Sequence, residues 1–481
     1  SKACISIDRL LYILKAEQEQ SPNEPAAANL SGDICFDHVS FAYEQKAVLR
    51  DVSFTVKGGS TLGVFGETGS GKSTIALLLA LLMILPMAGC GVRAQELTKD
   101  IEPQALDTTT DLTAGGEAVT AFALSLLRSE RAATEGVLIS PVSVLNALGM
   151  VANGAGGDTL KQLETAAGMS LNQLNDFLYT YRMSLPAACK SCTVSLANSA
   201  WVREDFRVED DFLRSCVNYY GAEMYRSAFD GSLVTDLNRW VSQKTDGMID
   251  RLLEQAPDAL TMLYMVNAAC FDARWDTPYT KADLRTGLPF TAANGTQQTA
   301  DYMTGTENIY LSGNNVTGFV KPYDGGKYAF VALLPDEGVT LADYLENLTG
   351  EHLYKLITNH RSADVQVSIP KFDARSELEL EEPLKDMGIT DLFNVSTADL
   401  RGIGSAPSGN NLYVSSVLHK TYLELDESGT RAAAATVVEV VGDALPSEDV
   451  KTVTLDRPFL YMIVDTHACV PLFMGTVTSM E

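Results

Sequence analysis

The sequence predicts an α+β fold whose main sheet can accept one more strand, preceded by a truncated phosphate-loop fragment. Three observations carry this. The alternating strand pattern Thr421-Tyr422-Leu423-Glu424-Leu425-Asp426 runs into Glu427-Ser428-Gly429-Thr430-Arg431, then Ala432 to Ala435, then Thr436. A strand must present small groups on its inward face to slide between two neighbours, and successive residues alternate faces. Upstream, Gly66-Glu67-Thr68-Gly69-Ser70-Gly71-Lys72-Ser73 matches the phosphate-loop pattern GxxxxGK[ST]. From Gly116 onward helical and strand-like patterns mix without any repeat.

Bulk properties bound the function. With 481 residues and 46% hydrophobic content, the chain has the length and composition for a large core. A net charge of −26 argues against nucleic-acid binding and for a soluble, self-repelling surface. The eight cysteines are too sparse for a disulfide scaffold. Cys189 and Cys192 have CxxC spacing but no second CxxC or paired histidines, so no metal site is expected; a local disulfide and free thiols both stay open. Cys270 and Cys469 sit in apolar runs and read as small core residues.

In chain order, residues 1–20 read as a helix, 21–33 as a linker and 34–66 as β-structure leading into the glycine-rich loop. In that loop Gly66, Gly69 and Gly71 free backbone N–H groups for phosphates, Lys72 reaches the terminal phosphates and the Ser73 hydroxyl ligates Mg²⁺. With Phe41-Ala42-Tyr43 and Leu49-Arg50-Asp51-Val52-Ser53-Phe54, residues 1–73 resemble the start of an ABC-transporter ATPase domain, which implies that Tyr43 stacks on adenine. A usable signature motif does not follow. Leu311-Ser312-Gly313-Asn314 lacks the second glycine, and Pro335 breaks the run Val331-Ala332-Leu333-Leu334 before Asp336-Glu337. ATP hydrolysis is therefore not expected, and ATP with Mg²⁺ is a cofactor only if this fragment works by itself.

Residues 75–85 (IALLLALLMIL) are uniformly apolar, too short for an ordinary membrane span, and end at Pro86-Met87-Ala88-Gly89-Cys90. With Lys72 in front, residues 74–90 read as a lipoprotein-type signal with Cys90 as the lipidated residue; a buried helix is the plainer alternative. A gene fusion, or an artefactual joining, of a transporter fragment to a secreted lipoprotein near Gly71–Thr74 accounts for both halves. Residues 91–115 read as a polar tether.

In the globular part, Val119, Phe122, Ala123, Leu126 and Leu127 recur with helical spacing. Ser140-Pro141 reads as the N-cap and first residue of a second helix. Strands are expected at 193–203, 263–271, 328–334, 365–372, 412–425 and 459–477.

Residues 116–481 resemble a serpin from end to end. The resemblance rests on Ile139-Ser140-Pro141-Val142-Ser143, on Asn198-Ser199-Ala200-Trp201-Val202 as the Trp strand at the top of the sheet, and on Val266-Asn267-Ala268-Ala269-Cys270-Phe271-Asp272-Ala273-Arg274-Trp275. Ile369-Pro370-Lys371-Phe372, Gly388 to Phe393, His419-Lys420, Pro458-Phe459-Leu460 and Pro471 to Gly475 complete it in order. The resemblance implies three β-sheets, about nine helices and an exposed reactive-centre loop. It also implies a suicide-substrate inhibitor of serine proteases: the loop is cut, an acyl-enzyme forms, and the freed loop inserts and traps the protease. The inhibitor itself has no catalytic residue.

Thr430, Ala432, Ala434 and Thr436 would face inward on insertion, with Glu427 and Gly429 forming the hinge and Arg431 facing solvent. Ser140, Ser143, Asn267 and His419 would form a polar cluster under the opening sheet; no GxSxG or Cys–His arrangement makes His419 catalytic. Lys371 would pair with Glu427, and Trp201 is either gate packing or plain core. Family spacing from Glu427 places the reactive bond at Asp443–Ala444, while the flanking valines keep Val441 and Leu445 as rivals. The expected partners are elastase- or subtilisin-like serine proteases, met by a monomer outside a bacterial cell or on its surface, with membrane attachment only through the lipid. A non-inhibitory serpin-fold binding protein is the alternative, and an ATP-binding protein retaining only the phosphate loop a lesser one.

Overall fold

The computed structural model describes residues 34–43, 46–56, 94–106, 110–129, 132–185, 192–245, 247–256, 261–406, 409, 411–430 and 451–480. Gly66, Gly69, Gly71, Lys72, Ser73 and Cys90 lie outside them, as do Ala432, Ala434, Thr436, Val441, Asp443, Ala444 and Leu445. The chain divides into two compact units, 1–91 and 92–481. In the first, Ile34–Tyr43 and Lys46–Val56 form an antiparallel hairpin, with the Tyr43 backbone opposite Lys46.

The second unit carries nine α-helices among the described residues, and its strands form sheets of nine, seven and two strands. In the nine-stranded sheet the long strand Gln297–Gly313 pairs along its length first with Leu284–Thr291, then with Arg361–Pro370, then with Val316–Pro322. Next to one another in that sheet lie Tyr328–Pro335, Phe459–Asp465 and Val470–Val477, every residue of which is buried. Their continuous apolar runs are what strands covered on both faces require.

The second large sheet has seven strands. From edge to edge these are Phe372–Glu379, Leu418–Leu425, Gly429–Thr430, Leu263–Arg274, Cys192–Arg203, Glu223–Ser227 and Gln95–Glu96. One face packs on the main core and the other on a smaller core beneath helix Gly231–Lys244. The two-residue period divides the side chains: Ala200 and Val202 enter the main core, Trp201 the smaller one.

Helix Leu112–Ser129 buries Val119, Phe122, Ala123, Leu126 and Leu127 along one stripe, as their spacing predicts. Helix Pro141–Ala152 is buried at every position and lies under the seven-stranded sheet. Four expectations change. Residues 412–417 are irregular, and the strand starts at Leu418, since Leu412, Val414 and Val417 supply core side chains from a loop. Residues 459–477 form a hairpin whose turn is held by the Asp465 carboxylate, which accepts from the N–H groups of His467 and Ala468 at 3.0 and 3.1 Å. Cys469 sits in that turn with φ +53°, half-buried, and is no core residue. Finally, part of the stretch read as a polar tether is built into the fold. Gln95–Glu96 forms an edge strand, and Leu97, Ile101 and Leu112 add apolar surface to the core.

Candidate functional site

The site is a seam in the seven-stranded sheet. Strands Leu418–Leu425 and Leu263–Arg274 run parallel and pair at Lys420 and Ala268. At one end the seam is wedged by Gly429–Thr430, which pairs antiparallel with Leu425 on one side and with Ala273 and Arg274 on the other. A side chain at 429 would bring a Cβ within 2.1 Å of the Ala273 carbonyl oxygen, so only glycine fits there. Thr430 is fully buried, and its hydroxyl lies 2.6 Å from the phenol oxygen of Tyr323. Tyr323 in turn stacks on Trp275, with centroids 4.5 Å apart.

The turn ahead of the wedge is held from several sides. The Trp275 indole N–H donates to the Asp426 carbonyl at 2.9 Å, the Trp275 main-chain N–H to the Ser428 carbonyl at 3.0 Å, and the Tyr279 N–H to the Glu427 carbonyl at 2.9 Å. Lys371 pairs with Glu427 at 2.5 Å, with both side chains partly exposed. The Lys371 hydrogen bond is the main reason the Glu427 carboxyl sits below its usual range. Burial, opposed by two hydrogen bonds from the turn, raises that of Asp426. Beneath Trp275 and Tyr279, Lys321 lies 4.3 Å from the Tyr279 ring centre and is neutralised by Glu307 at 2.7 Å, both of them buried.

A second set of polar groups lies further down the seam. The His419 Nε2 accepts from the Ser140 N–H at 3.0 Å, and burial pushes the imidazole down to about 4. It is therefore neutral at pH 7, with the acceptor nitrogen facing the helix start. Ser140 thus contributes its N–H and not a side-chain cap, because its hydroxyl makes no bond to the first helical turn. The Asn267 amide donates to Asn198, whose own amide donates to the Tyr220 carbonyl at 3.3 Å. The hydroxyls of Ser140 and Ser143 and the oxygen of Asn267 are buried without a protein partner.

The structure thus brings Ser140, Asn267 and His419 to the seam, and Lys371, Glu427, Gly429 and Thr430 to the wedge. Trp201 belongs to neither. It pairs with Tyr264, nine residues along the strand from the Ala273 that flanks Thr430, or ~30 Å away at the usual strand rise. It stacks on Tyr225 at 4.4 Å in the smaller core, so its placement at the top of the sheet is corrected to plain core at the far end. The tryptophan at the wedge is Trp275, quoted in the sequence only as part of a motif. Tyr323 and Asn198 also escaped notice as site residues. Tyr323 follows Lys321-Pro322 at a strand end, and nothing in its local pattern marks it.

Comparison with known proteins fits this geometry. The family model for serpins, described as serine protease inhibitors, matches residues 117–480. The chain belongs to the serpin family. Among similar serpins, Iripin-5 of Ixodes ricinus is 33% identical over 74% of this chain and 92% of its own length. Leukocyte elastase inhibitor A of Rattus norvegicus is 31% identical over 74% and 97%. The thermophilic serpin Tengpin in its native state matches with a TM-score of 0.76 and 39% identity, over 81% of this chain and all of that one. Its latent state scores 0.67, with 37% identity over 79% of this chain and all of that one. The better fit to the native state agrees with a seam whose outer strands still pair directly at Lys420 and Ala268. Residues 49–114 match the ABC transporter family, a match that runs on through the signal-like stretch 74–90.

Proposed function

We propose that this serpin inhibits serine proteases as a suicide substrate, trapping them by inserting its reactive loop between strands Leu418–Leu425 and Leu263–Arg274. The observation that carries the reading is the wedge. Gly429–Thr430 already forms the first antiparallel pairs of an additional strand in a parallel seam, with Thr430 turned into the core. Continuing that alternation buries Ala432, Ala434 and Thr436, whose small side chains fit under a closing sheet. New main-chain hydrogen bonds and apolar burial drive the strand in, and the native fold persists until cleavage because of a kinetic barrier. The mechanism uses no cofactor.

The target class is elastase- or subtilisin-like, supported by the valines ahead of the reactive bond and by the resemblance to an elastase inhibitor. The bond is placed at Asp443–Ala444. The protein acts as a monomer outside a bacterial cell, held at the surface through lipid on Cys90, and the phosphate-loop fragment hydrolyses no ATP. Among the described residues no helix is long and apolar enough to cross a membrane. Incubation with elastase, subtilisin and trypsin tests the inhibitory reading. A complex that survives denaturing electrophoresis, with the cut mapped to 443–444 by mass spectrometry, is expected. Cleavage by all three without any complex overturns it and favours a non-inhibitory binding protein.

A further inference from the structure

The turn between strands Leu418–Leu425 and Gly429–Thr430 has an exchanged bonding pattern. The Asp426 N–H donates to the Gly429 carbonyl at 3.0 Å, as a tight antiparallel turn requires. The reciprocal acceptor, the Asp426 carbonyl, is occupied by the Trp275 indole at 2.9 Å. The Gly429 N–H donates instead to the Asp426 carboxylate oxygen Oδ1 at 3.2 Å, and the Ser428 N–H donates to the same oxygen at 2.7 Å. The side chain thus stands in for the main-chain carbonyl that Trp275 has taken. Without it, the N–H groups of half-buried Ser428 and buried Gly429 would lose their acceptor inside a turn that Trp275 and Tyr279 pin through its carbonyls.

We propose that Asp426 is a positioning residue for loop insertion, its carboxylate holding the hinge turn closed with Thr430 seated so that the new strand grows from a preformed hairpin. The inference rests on the loop-insertion reading above. A strand that starts from a closed hairpin adds pairs one by one; a strand that starts from an open turn must first recover the ordering entropy of closure. The fraction of molecules with the turn closed therefore scales the apparent insertion rate, as a competent fraction scales an apparent affinity.

Asp426→Asn keeps the oxygen acceptor and removes the charge, whereas Asp426→Ala removes both. Two readouts apply to each: the rate at which the cut loop inserts, followed as the gain of heat resistance after cleavage by subtilisin, and the ratio of trapped to released protease. Asp426→Asn is expected within about twofold of the wild type, and Asp426→Ala slower by about fivefold or more, with the ratio shifted toward released protease. A folded Asp426→Ala protein that inserts at the wild-type rate overturns the proposal, even if its native melting point has dropped. An Asp426→Asn protein as slow as the alanine variant overturns it too, because charge and not the acceptor would then matter. Should the alanine variant not fold, Asp426→Ser replaces it: its shorter hydroxyl predicts an intermediate rate, and a wild-type rate counts against the proposal. A wild-type protein that inserts after cleavage yet never traps a protease overturns inhibition alone, leaving the insertion rates to decide on Asp426. One that does not insert at all overturns both.

Discussion

The phenol oxygen of Tyr323 lies 2.6 Å from the hydroxyl of Thr430, and both side chains are sealed from solvent. This contact fixes the phase of the hinge. If the loop inserts with Thr430 inward, strand alternation would turn Arg431 outward, where its charge does not oppose insertion. Thr430→Arg would put a charge where the hydroxyl now sits. The expected result is a protein that proteases cut without forming a complex, read as cleaved band only on a denaturing gel. Thr430→Val removes only the hydroxyl, leaves the Tyr323 phenol without its partner and costs about 1–2 kcal/mol of native stability by denaturant titration.

His419 predicts an acid dependence. Burial holds its imidazole near 4 in the folded protein, against 6.5 for the free group. The unfolded chain therefore takes up the proton first as pH falls, and the native state loses stability from about pH 6.5 down to about 4. The full loss is about 3 kcal/mol, and above pH 6.5 there is none. His419→Gln keeps an acceptor for the Ser140 N–H without titrating. The difference between the two proteins in unfolding free energy should grow across that window and vanish above it; a constant difference would rule out the histidine as the cause.

The Glu307–Lys321 pair supports the wedge from below. Both groups are buried, and burial, aided by Asp276 and opposed by Lys321, raises the Glu307 carboxyl. Glu307→Ala strands the Lys321 ammonium beside Trp275 and Tyr279 and should cost about 3–5 kcal/mol in unfolding free energy. Replacing both partners, as Glu307→Leu with Lys321→Met, should cost much less. Equal losses in the single and double variants would contradict the explanation.

Lys371 and Glu427 offer a contrast. Their 2.5 Å bond lies where both side chains reach solvent, with 29% and 39% exposure. Screening there limits the pair to about 1 kcal/mol or less in a double-mutant cycle, falling at high salt. Because the folded Glu427 carboxyl sits below its ordinary value, that contribution is present above the free carboxyl value and is lost as pH falls through the folded one.

Elements whose face is set by local periodicity were legible in advance. The stripe of helix Leu112–Ser129 and the strands around Val266 and Phe459 needed only apolar spacing. Trp201 shows where that reading stops. The alternation that put it in a strand says nothing about which end of the strand meets the hinge, since that depends on register against Leu263–Arg274. Residues 94–98 are polar enough to read as tether, and join the sheet because the edge of Glu223–Ser227 offers unpaired main-chain groups. Asp426 looked like the end of an alternating strand; its carboxylate matters because Trp275, distant in sequence, occupies its carbonyl.

By itself the sequence determined the family, the α+β class, the small-residue run after Gly429 and the residue types gathered under the seam. The family follows from the resemblance of motifs met in order and the rest from composition and spacing, all of which are local and survive without coordinates. Only the tertiary structure decided which tryptophan stands at the wedge, that Thr430 is already seated against Tyr323, and that the hinge turn is closed by a side chain instead of a carbonyl. These are relations between strands far apart in the chain, and their register is set by the packing of the whole sheet.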